Sequence, residues 1–334
     1  MNSKTIIVTP NDVGRRIDRF INKYWNNCSM VYIMKLIRKG DIKINNNHVD
    51  VNYHLKLNDK IILPILNNAI NEERKKADSK GFLKAKNILD VVFEDKNIII
   101  VNKPIGLSSQ PDEYCKTDSL IQRIKLYLYN KKEFQPTSEN VFAPQLCNRI
   151  DRNTQGLVIA AKNIAALNIM NEKIKNKEVQ KYYLCKIHGR MKKQTDTLKD
   201  FWTKDQITNS VKISKKPLNK DSLEIITKYN VVDEDKYHNQ ILEINLITGK
   251  KHQIRAHMCF YKHPLFGEKK YCLKEYKDEC EFQQLYSYKI KFDFFSPSSE
   301  LDNLKNEVVS LEYLNNKIVS LKKDSIIEAL KKCN

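Results

Sequence analysis

No apolar run in the sequence approaches the length needed to cross a bilayer, so there is no candidate for a membrane-spanning helix. The start, "MNSKTIIVTPND", lacks the apolar core of a signal peptide, and a cytoplasmic location is expected. No Gly-rich phosphate loop of either common type occurs, which leaves no signal for a bound nucleotide. The eight cysteines are scattered and include no Cys-x-x-Cys pair, so buried or idle reduced thiols are expected. His252, His257, Cys259 and His263 are close in sequence, but their spacing matches no common zinc pattern and no metal is expected. Acidic residues are also short: 40 Asp and Glu stand against 59 Lys and Arg, a net charge of +19.

A chain of 334 residues with 41% hydrophobic and 30% charged residues is long enough for two domains, or for one large domain with a small partner. Its basic balance favours a polyanion, nucleic acid first and an acidic membrane surface second. The membrane reading lacks an amphipathic basic helix with bulky anchors at either end of the chain. Compositional bias is the competing explanation, since Lys and Asn are abundant throughout. The charge is uneven, however. Residues 1–89 carry 12 Lys and 5 Arg against 6 Asp and 2 Glu, a net +9 of the total +19. Uniform bias does not predict that asymmetry; a polyanion-binding domain does.

In the amino-terminal part, the strand "TIIV" precedes "GRRIDRFINKYW", where Ile17, Phe20, Ile21 and Tyr24 share one helical face. A second helix is predicted through "MVYIMKLIRKG", with Met30, Ile33, Met34 and Ile37 on one side and Gly40 as its cap. "DIKINNNHVDVN" reads as two short strands around an Asn-rich turn, and "DKIIL" as a third. These features, with "LIRKG" and "IKINNN", resemble the small RNA-binding module named after ribosomal protein S-four. The resemblance implies a domain over 11–66, with Arg15, Arg38 and Lys39 as phosphate contacts. The Ser-Arg pair usual at the start of the second helix is replaced by "CSM". A small basic domain that binds no RNA is the alternative.

Residues 67–87 are polar and charged and read as a linker, and 88–334 as a second domain. There "ILDVVFED" and "NIIIVNKP" form a predicted hairpin turning at "DKN". Helices are predicted over "TDSLIQRIKLYLYN" and over "NIAALNIMNEKIKN", the latter capped by Asn163. "GLVIAAK" reads as a buried strand; "QKYYLCKIHG", "LEIITKYNVV", "QILEINLITG" and "YSYKIKFDF" read as further strands. Strands outnumber helices without alternating regularly with them. The fold class is therefore α+β, with a mixed, mainly antiparallel sheet rather than a doubly wound one.

Three segments of this domain mix charge or phenol with strand residues: "NRIDRNTQGLVIAAK" (148–162), "KYYLCKIHG" (181–189) and "LITGKKHQIRAHM" (246–258). Singly, each has an ordinary structural reading: a salt bridge, a core tyrosine, a solvated basic face. In this order they resemble the RluA-type pseudouridine synthases. The matching residues are Arg149, Ile150, Asp151, Thr154, Gly156 and Ala161-Lys162; then Lys181, Tyr183 and Gly189; then Thr248, Gly249, His252, Gln253, Ile254, Arg255 and His257. "NKPIG" (102–106) and "HPLFGEKKY" (263–271) also resemble family landmarks, and the likeness runs over residues 90–295. Asn148 stands where the family has mostly His, Gln155 where Ser is common, Lys250 where Arg is common and Glu268 where Asp is usual.

The resemblance implies the pseudouridine synthase fold and the isomerisation of uridine within RNA. The base leaves its ribose nitrogen link, turns, and rejoins through a ring carbon. Nothing is added or lost, so no cofactor, ATP or metal is required. Asp151 is the implied essential carboxylate, with Arg255 as the cation that orients it, bidentate and always charged. Tyr183 is expected to lie against the flipped base and to serve proton transfer, with Tyr182 on the opposite face of the strand as packing. Arg149 fills the gap that the flipped base leaves, and Arg152 is a phosphate contact or a surface charge. Gly156 is expected to let the loop turn tightly into its strand. Large-subunit ribosomal RNA is the favoured partner, and a monomer is expected. Transfer RNA as substrate, or a non-catalytic RNA-binding protein on the same fold, are the alternatives.

Overall fold

The computed structural model describes residues 3–9, 12–25, 29–64, 81–113, 115–136, 142–205, 210–272, 276, 278–295 and 314–332. The amino-terminal unit contains β1 (Ser3–Ile7), α1 (Ile17–Tyr24), α2 (Met30–Lys39), β2 (Lys43–Ile44) and β3 (Lys60–Pro64), with antiparallel sheet order β1-β3-β2. Ile17, Phe20 and Ile21 of α1 close one core with Ile33, Leu36 and Ile37 of α2 and with Ile61 and Leu63 of β3. Leu36, not Met34, completes the buried face of α2. Gly40 ends that helix at φ 78°, a left-handed cap that a Cβ would disfavour. The expected hairpin over "DIKINNNHVDVN" is only half formed. Asn45 and Asn46 take φ 50° and 67° in a tight turn, and the return is a single bridge from Ile44 to Asn47. The Asn45 side chain is bound to Asp59 (2.8 Å) and to the Lys60 amide (2.8 Å), so the turn docks on β3 and no second strand grows from it.

Of the expected linker, residues 67–80 lie outside the described residues. Residues 81–84 form a 3₁₀ turn whose Phe82 is buried against Tyr129 and Phe134, so the larger unit reaches back to residue 81.

That unit is built on an eleven-stranded sheet. Along the chain come β4 (Val91–Glu94), β5 (Ile98–Lys103), α3 (Leu120–Asn130), β6 (Gln145–Leu146), β7 (Gln155–Ala161), α4 (Ile164–Lys175) and β8 (Val179–Ile187). Then follow β9 (Thr195–Lys204), β10 (Val211–Ser214), β11 (Leu223–Glu234), β12 (Gln240–Leu246), α5 (Gln253–Phe260), β13 (Leu285–Phe292), β14 (Ile318–Ser320) and α6 (Lys323–Lys332). The strand order is β10-β9-β11-β12-β8-β13-β7-β5-β4, with β14 beside β13 and β6 beside β7. Every pairing is antiparallel except β7 with β13, which is parallel and spans only two residue pairs. The α+β class with a mixed, mainly antiparallel sheet is thus the observed one.

The nearly unbroken apolar strands at β5 and β7 follow from helices on both faces. Ile99, Val101, Val158 and Ala160 pack on the side of α3 with Leu120, Ile124 and Leu128. Ile98, Ile100, Leu157 and Ile159 pack on the side of α4 with Ile169 and Met170. Asn163 caps α4 as expected, its Oδ1 accepting from the Ala166 amide at 2.8 Å.

One expectation is corrected. Cys259 and Cys272 are joined as a disulfide, because the chain leaving α5 folds back and brings their Cα atoms to 6.2 Å. Among the described residues, Cys115, Cys147 and Cys185 are free thiols.

Candidate active site

Asp151 sits on the loop between β6 and β7, and that loop is tied down one carbonyl at a time. The Ile150 carbonyl accepts from the Ser109 hydroxyl at 2.7 Å. The Asp151 carbonyl accepts from the Thr154 amide at 3.0 Å, and the Arg152 carbonyl from Lys103 Nζ at 2.8 Å. Lys103 is fully buried, and it also donates to the carbonyls of Pro104 (2.9 Å) and Leu107 (2.7 Å). Burial pushes its pKa down to about 7, against the pull of Asp151. Three carbonyl acceptors use all three ammonium protons and oppose that loss. Asn148, the residue where His is usual, accepts from the Ile159 amide at 2.8 Å and so fastens the loop to β7. With its backbone held on every side, the Asp151 carboxylate has little freedom to leave the cleft wall.

Arg255 comes from the first turn of α5. Gln253, buried beside it, donates to Thr227 Oγ1 (3.0 Å) and to the Ile226 carbonyl (3.2 Å), while its Oε1 accepts from Thr248 Oγ1 (3.0 Å). Those bonds fix the start of the helix. The guanidinium then makes two interactions. Nε and Nη2 donate to Glu268 at 2.6 and 3.0 Å, and Nη1 donates to Asp151 Oδ2 at 3.2 Å. Glu268, its side chain buried, is therefore the rigid back of a carboxylate–guanidinium–carboxylate row. Burial weighs against the Arg255 cation, but Glu268 and Asp151 outweigh it and raise its pKa.

Tyr183 lies in the middle of β8, opposite Ser287 of β13. Its ring is only 5% exposed, yet it lines the same cleft as Asp151. Burial raises its phenol to about 12, with the charge of Asp151 acting in the same direction, so the group holds its proton at neutral pH. The cleft has a volume of about 1130 Å³ and passes between the Asp151 loop, the Lys181–Tyr183 stretch and the segment from Leu246 to Arg255. That exceeds the 300–1,000 Å³ or so of ordinary small-ligand pockets.

Five of the eight sequence-predicted site residues meet here: Asp151, Tyr183, Arg255, Arg149 and Arg152 all line the cleft. Arg149 is exposed. Arg152 is paired with Asp112, whose carboxyl is held down at about 2 chiefly by the Ser108 hydroxyl, with Arg152 adding to it. Arg15, Arg38 and Lys39 belong to the amino-terminal unit and do not line the cleft. Arg15 is bound to Asp12 at 3.4 Å and Lys39 to Asp41 at 3.4 Å, while Arg38 is exposed. Lys103 was visible only as part of "NKPIG", and Glu268 only as a departure from a pattern; neither carried a role. His252 also stands beside Asp151, with Tyr271 bound to its other ring nitrogen. Among the described residues no group of His, Cys, Asp and Glu is arranged to hold a metal ion, and no helix is long and apolar enough to cross a membrane.

Residues 97–259 match the RNA pseudouridylate synthase family. An uncharacterised RNA pseudouridine synthase of Mycoplasma capricolum is 32% identical, over 91% of this chain and 95% of its own length. Proteins named ribosomal large subunit pseudouridine synthase C are similar too. The one from Buchnera aphidicola is 28% identical, over 87% of this chain and 89% of its own; that of Escherichia coli is 24% identical, over 82% and 81%. Among solved structures, human RNA pseudouridylate synthase domain containing 1 has the same fold. It aligns at a TM-score of 0.52 and 16% identity, over 74% of this chain and 96% of its own.

Proposed function

The chain belongs to the RNA pseudouridylate synthase family, and from that premise we propose that it isomerises uridines of large-subunit ribosomal RNA, with Asp151 as the nucleophile. The observation that carries the reading is the Asp151 carboxylate, 25% exposed in an open cleft and fixed at 3.2 Å by an arginine that a buried glutamate holds in turn. A surface salt bridge has no need of such a frame. Support for the RNA class comes from the relatives named for the large ribosomal subunit and from the exposed Arg38 and Lys39 of the S-four-like unit.

In the reaction the C1′–N1 bond breaks, the base turns, and a C1′–C5 bond forms. C5 loses a proton and N1 gains one. Asp151 attacks or stabilises the electron-poor centre as the glycosidic bond opens. Tyr183 offers a ring face to the base and a neutral phenol for proton exchange. Arg149, two residues ahead of Asp151 and exposed at the cleft, enters the gap that the everted base leaves. Arg152 takes a backbone phosphate once RNA displaces Asp112.

The assignment of substrate is tested by mapping pseudouridines in ribosomal and transfer RNA from cells with and without the protein. Sites are expected to vanish from large-subunit RNA; loss confined to transfer RNA would overturn the ribosomal assignment. Arg149→Ala is expected to slow turnover on folded RNA by about tenfold, and much less on an unstructured fragment, because unstacking a base costs a few kcal/mol only where it is stacked. Equal losses on the two substrates, measured under single-turnover conditions, would remove Arg149 from that role.

A further inference from the structure

Beside Arg255, a second side chain, His252, faces Asp151, with Tyr271 behind it. His252 stands at the amino end of α5 with φ 53°, in the left-handed region where a non-glycine residue is held only by its surroundings. Its Nδ1 is 2.6 Å from the Tyr271 hydroxyl, and its Nε2 is 3.7 Å from Asp151 Oδ1. The second distance is too long for a hydrogen bond. Nε2 therefore lies next to the carboxylate, on the wall of the cleft, without being bound to it.

The surroundings of the ring favour one tautomer. Burial raises the Tyr271 phenol well above its ordinary value, so it keeps its proton and can donate. Burial pushes the imidazole down to about 4, with Arg255, Lys270 and Lys251 adding to the fall and Asp151 opposing it, so the ring is neutral at physiological pH. A neutral ring facing a carboxylate is more stable with N–H than with a lone pair towards it. The favoured tautomer therefore has Tyr271 donating to Nδ1 and the proton on Nε2.

We propose that His252, its tautomer set by Tyr271, is a catalytic hydrogen-bond donor to the everted pyrimidine. The proposal rests on the reaction assigned above. Whatever engages Asp151 Oδ1 must lie beside Nε2. As the C1′–N1 bond breaks, its electron pair stays with the base and spreads onto the base's carbonyl oxygens. The Nε2–H of His252 meets one of those oxygens. The proton stays on nitrogen throughout, so none has to be replaced. Arg255 already gives three of its five N–H groups to Glu268 and Asp151. Tyr271 is the positioning residue behind the donor.

The test uses the full chain with large-subunit RNA under single turnover. His252→Leu is expected to lower the rate by about 100-fold with RNA affinity unchanged, the loss typical of a donor aimed at developing charge. His252→Gln, whose amide nitrogen reaches the place of Nε2, is expected to stay within about tenfold of wild type, while His252→Asn does not. Nitrogen-15 NMR of the wild type should show the His252 proton on Nε2 from pH 6 to 8, and Tyr271→Phe should mix the tautomers. A wild-type rate in a folded His252→Leu, equal rates for the Gln and Asn variants, or a proton on Nδ1 would each overturn the proposal. If His252→Leu fails to fold, the Gln–Asn contrast and the tautomer decide. A wild-type chain that modifies neither ribosomal nor transfer RNA would instead sink the RNA assignment itself.

Discussion

Asp151→Asn is expected to abolish isomerisation, lowering the single-turnover rate by about 10³-fold or more, a loss of roughly 4 kcal/mol of transition-state stabilisation. The substitution keeps the size and shape of the side chain and removes only the negative charge and its nucleophilicity. Folding should be nearly untouched. The loop is held by backbone carbonyls bound to Ser109, Thr154 and Lys103, none of which involves the carboxylate. Arg255 keeps its two bonds to Glu268. RNA affinity should be equal or higher, because a negative charge beside a polyanion has gone. Release of tritium from RNA labelled at uridine C5 is a direct measure, since C5 must lose its hydrogen for the new bond to stand. If Asp151 were only the partner of a salt bridge, the Asn variant would lose thermal stability and keep its rate. That pattern would end the assignment.

The three central residues were readable in the sequence because each lies in a local pattern: a charged loop ahead of an apolar strand, a phenol on a strand, an arginine inside a Thr-Gly…His-Gln-Ile-Arg run. Their meeting was not readable from spacing, since Asp151 and Arg255 are 104 residues apart and only the family resemblance joined them. Lys103 escaped for a physical reason. Its partners are three backbone carbonyls, which have no sequence identity, so nothing marks a lysine as buried until the loops above it are placed. Glu268 reads as a substitution for Asp; the longer side chain in fact spans to two nitrogens of a guanidinium. The same limit explains the Asn-rich turn. Alternation predicts a strand on each side, but Asn45 and Asp59, 14 residues apart, bond to each other and end the hairpin after one residue. β9, with its mixed burial pattern, carried no readable apolar period and appeared only once β11 was laid beside it.

Gly156→Ala has the second large expected effect, and its reason differs from the tight turn expected at that position. Gly156 opens β7 at φ 121°, between Lys103 of β5 and Ser287 of β13. A Cβ there would strike the backbone carbonyl of Ser287, which no rotamer change can relieve. The contact matters because β7 and β13 are joined by only two residue pairs, Gln155 with Tyr286 and Gly156 with Ser287. This short parallel seam connects the β4-β5-β7 side of the sheet, which carries the Asp151 loop, to the β8-β12 side, which carries Tyr183 and leads to Arg255. Ser287 pairs directly with Tyr183, so glycine, serine and tyrosine are consecutive across the seam. An alanine must either strain its own backbone, force β13 away, or both, for a total of roughly 3–5 kcal/mol. Thermal denaturation should show a fall in Tm of about 10 °C for a unit of this size. Because the displacement falls between Asp151 and its two partners, the rate measured well below the new Tm should fall as well. Gly156→Ala should thus differ from a core truncation such as Ile100→Ala, which removes packing on the far side of the sheet from Tyr183 and should lower Tm while leaving the rate of the folded fraction intact. A Gly156→Ala protein with native Tm would show that β7 and β13 can separate without cost, and the shared frame that holds Asp151 against Arg255 would have to be sought elsewhere.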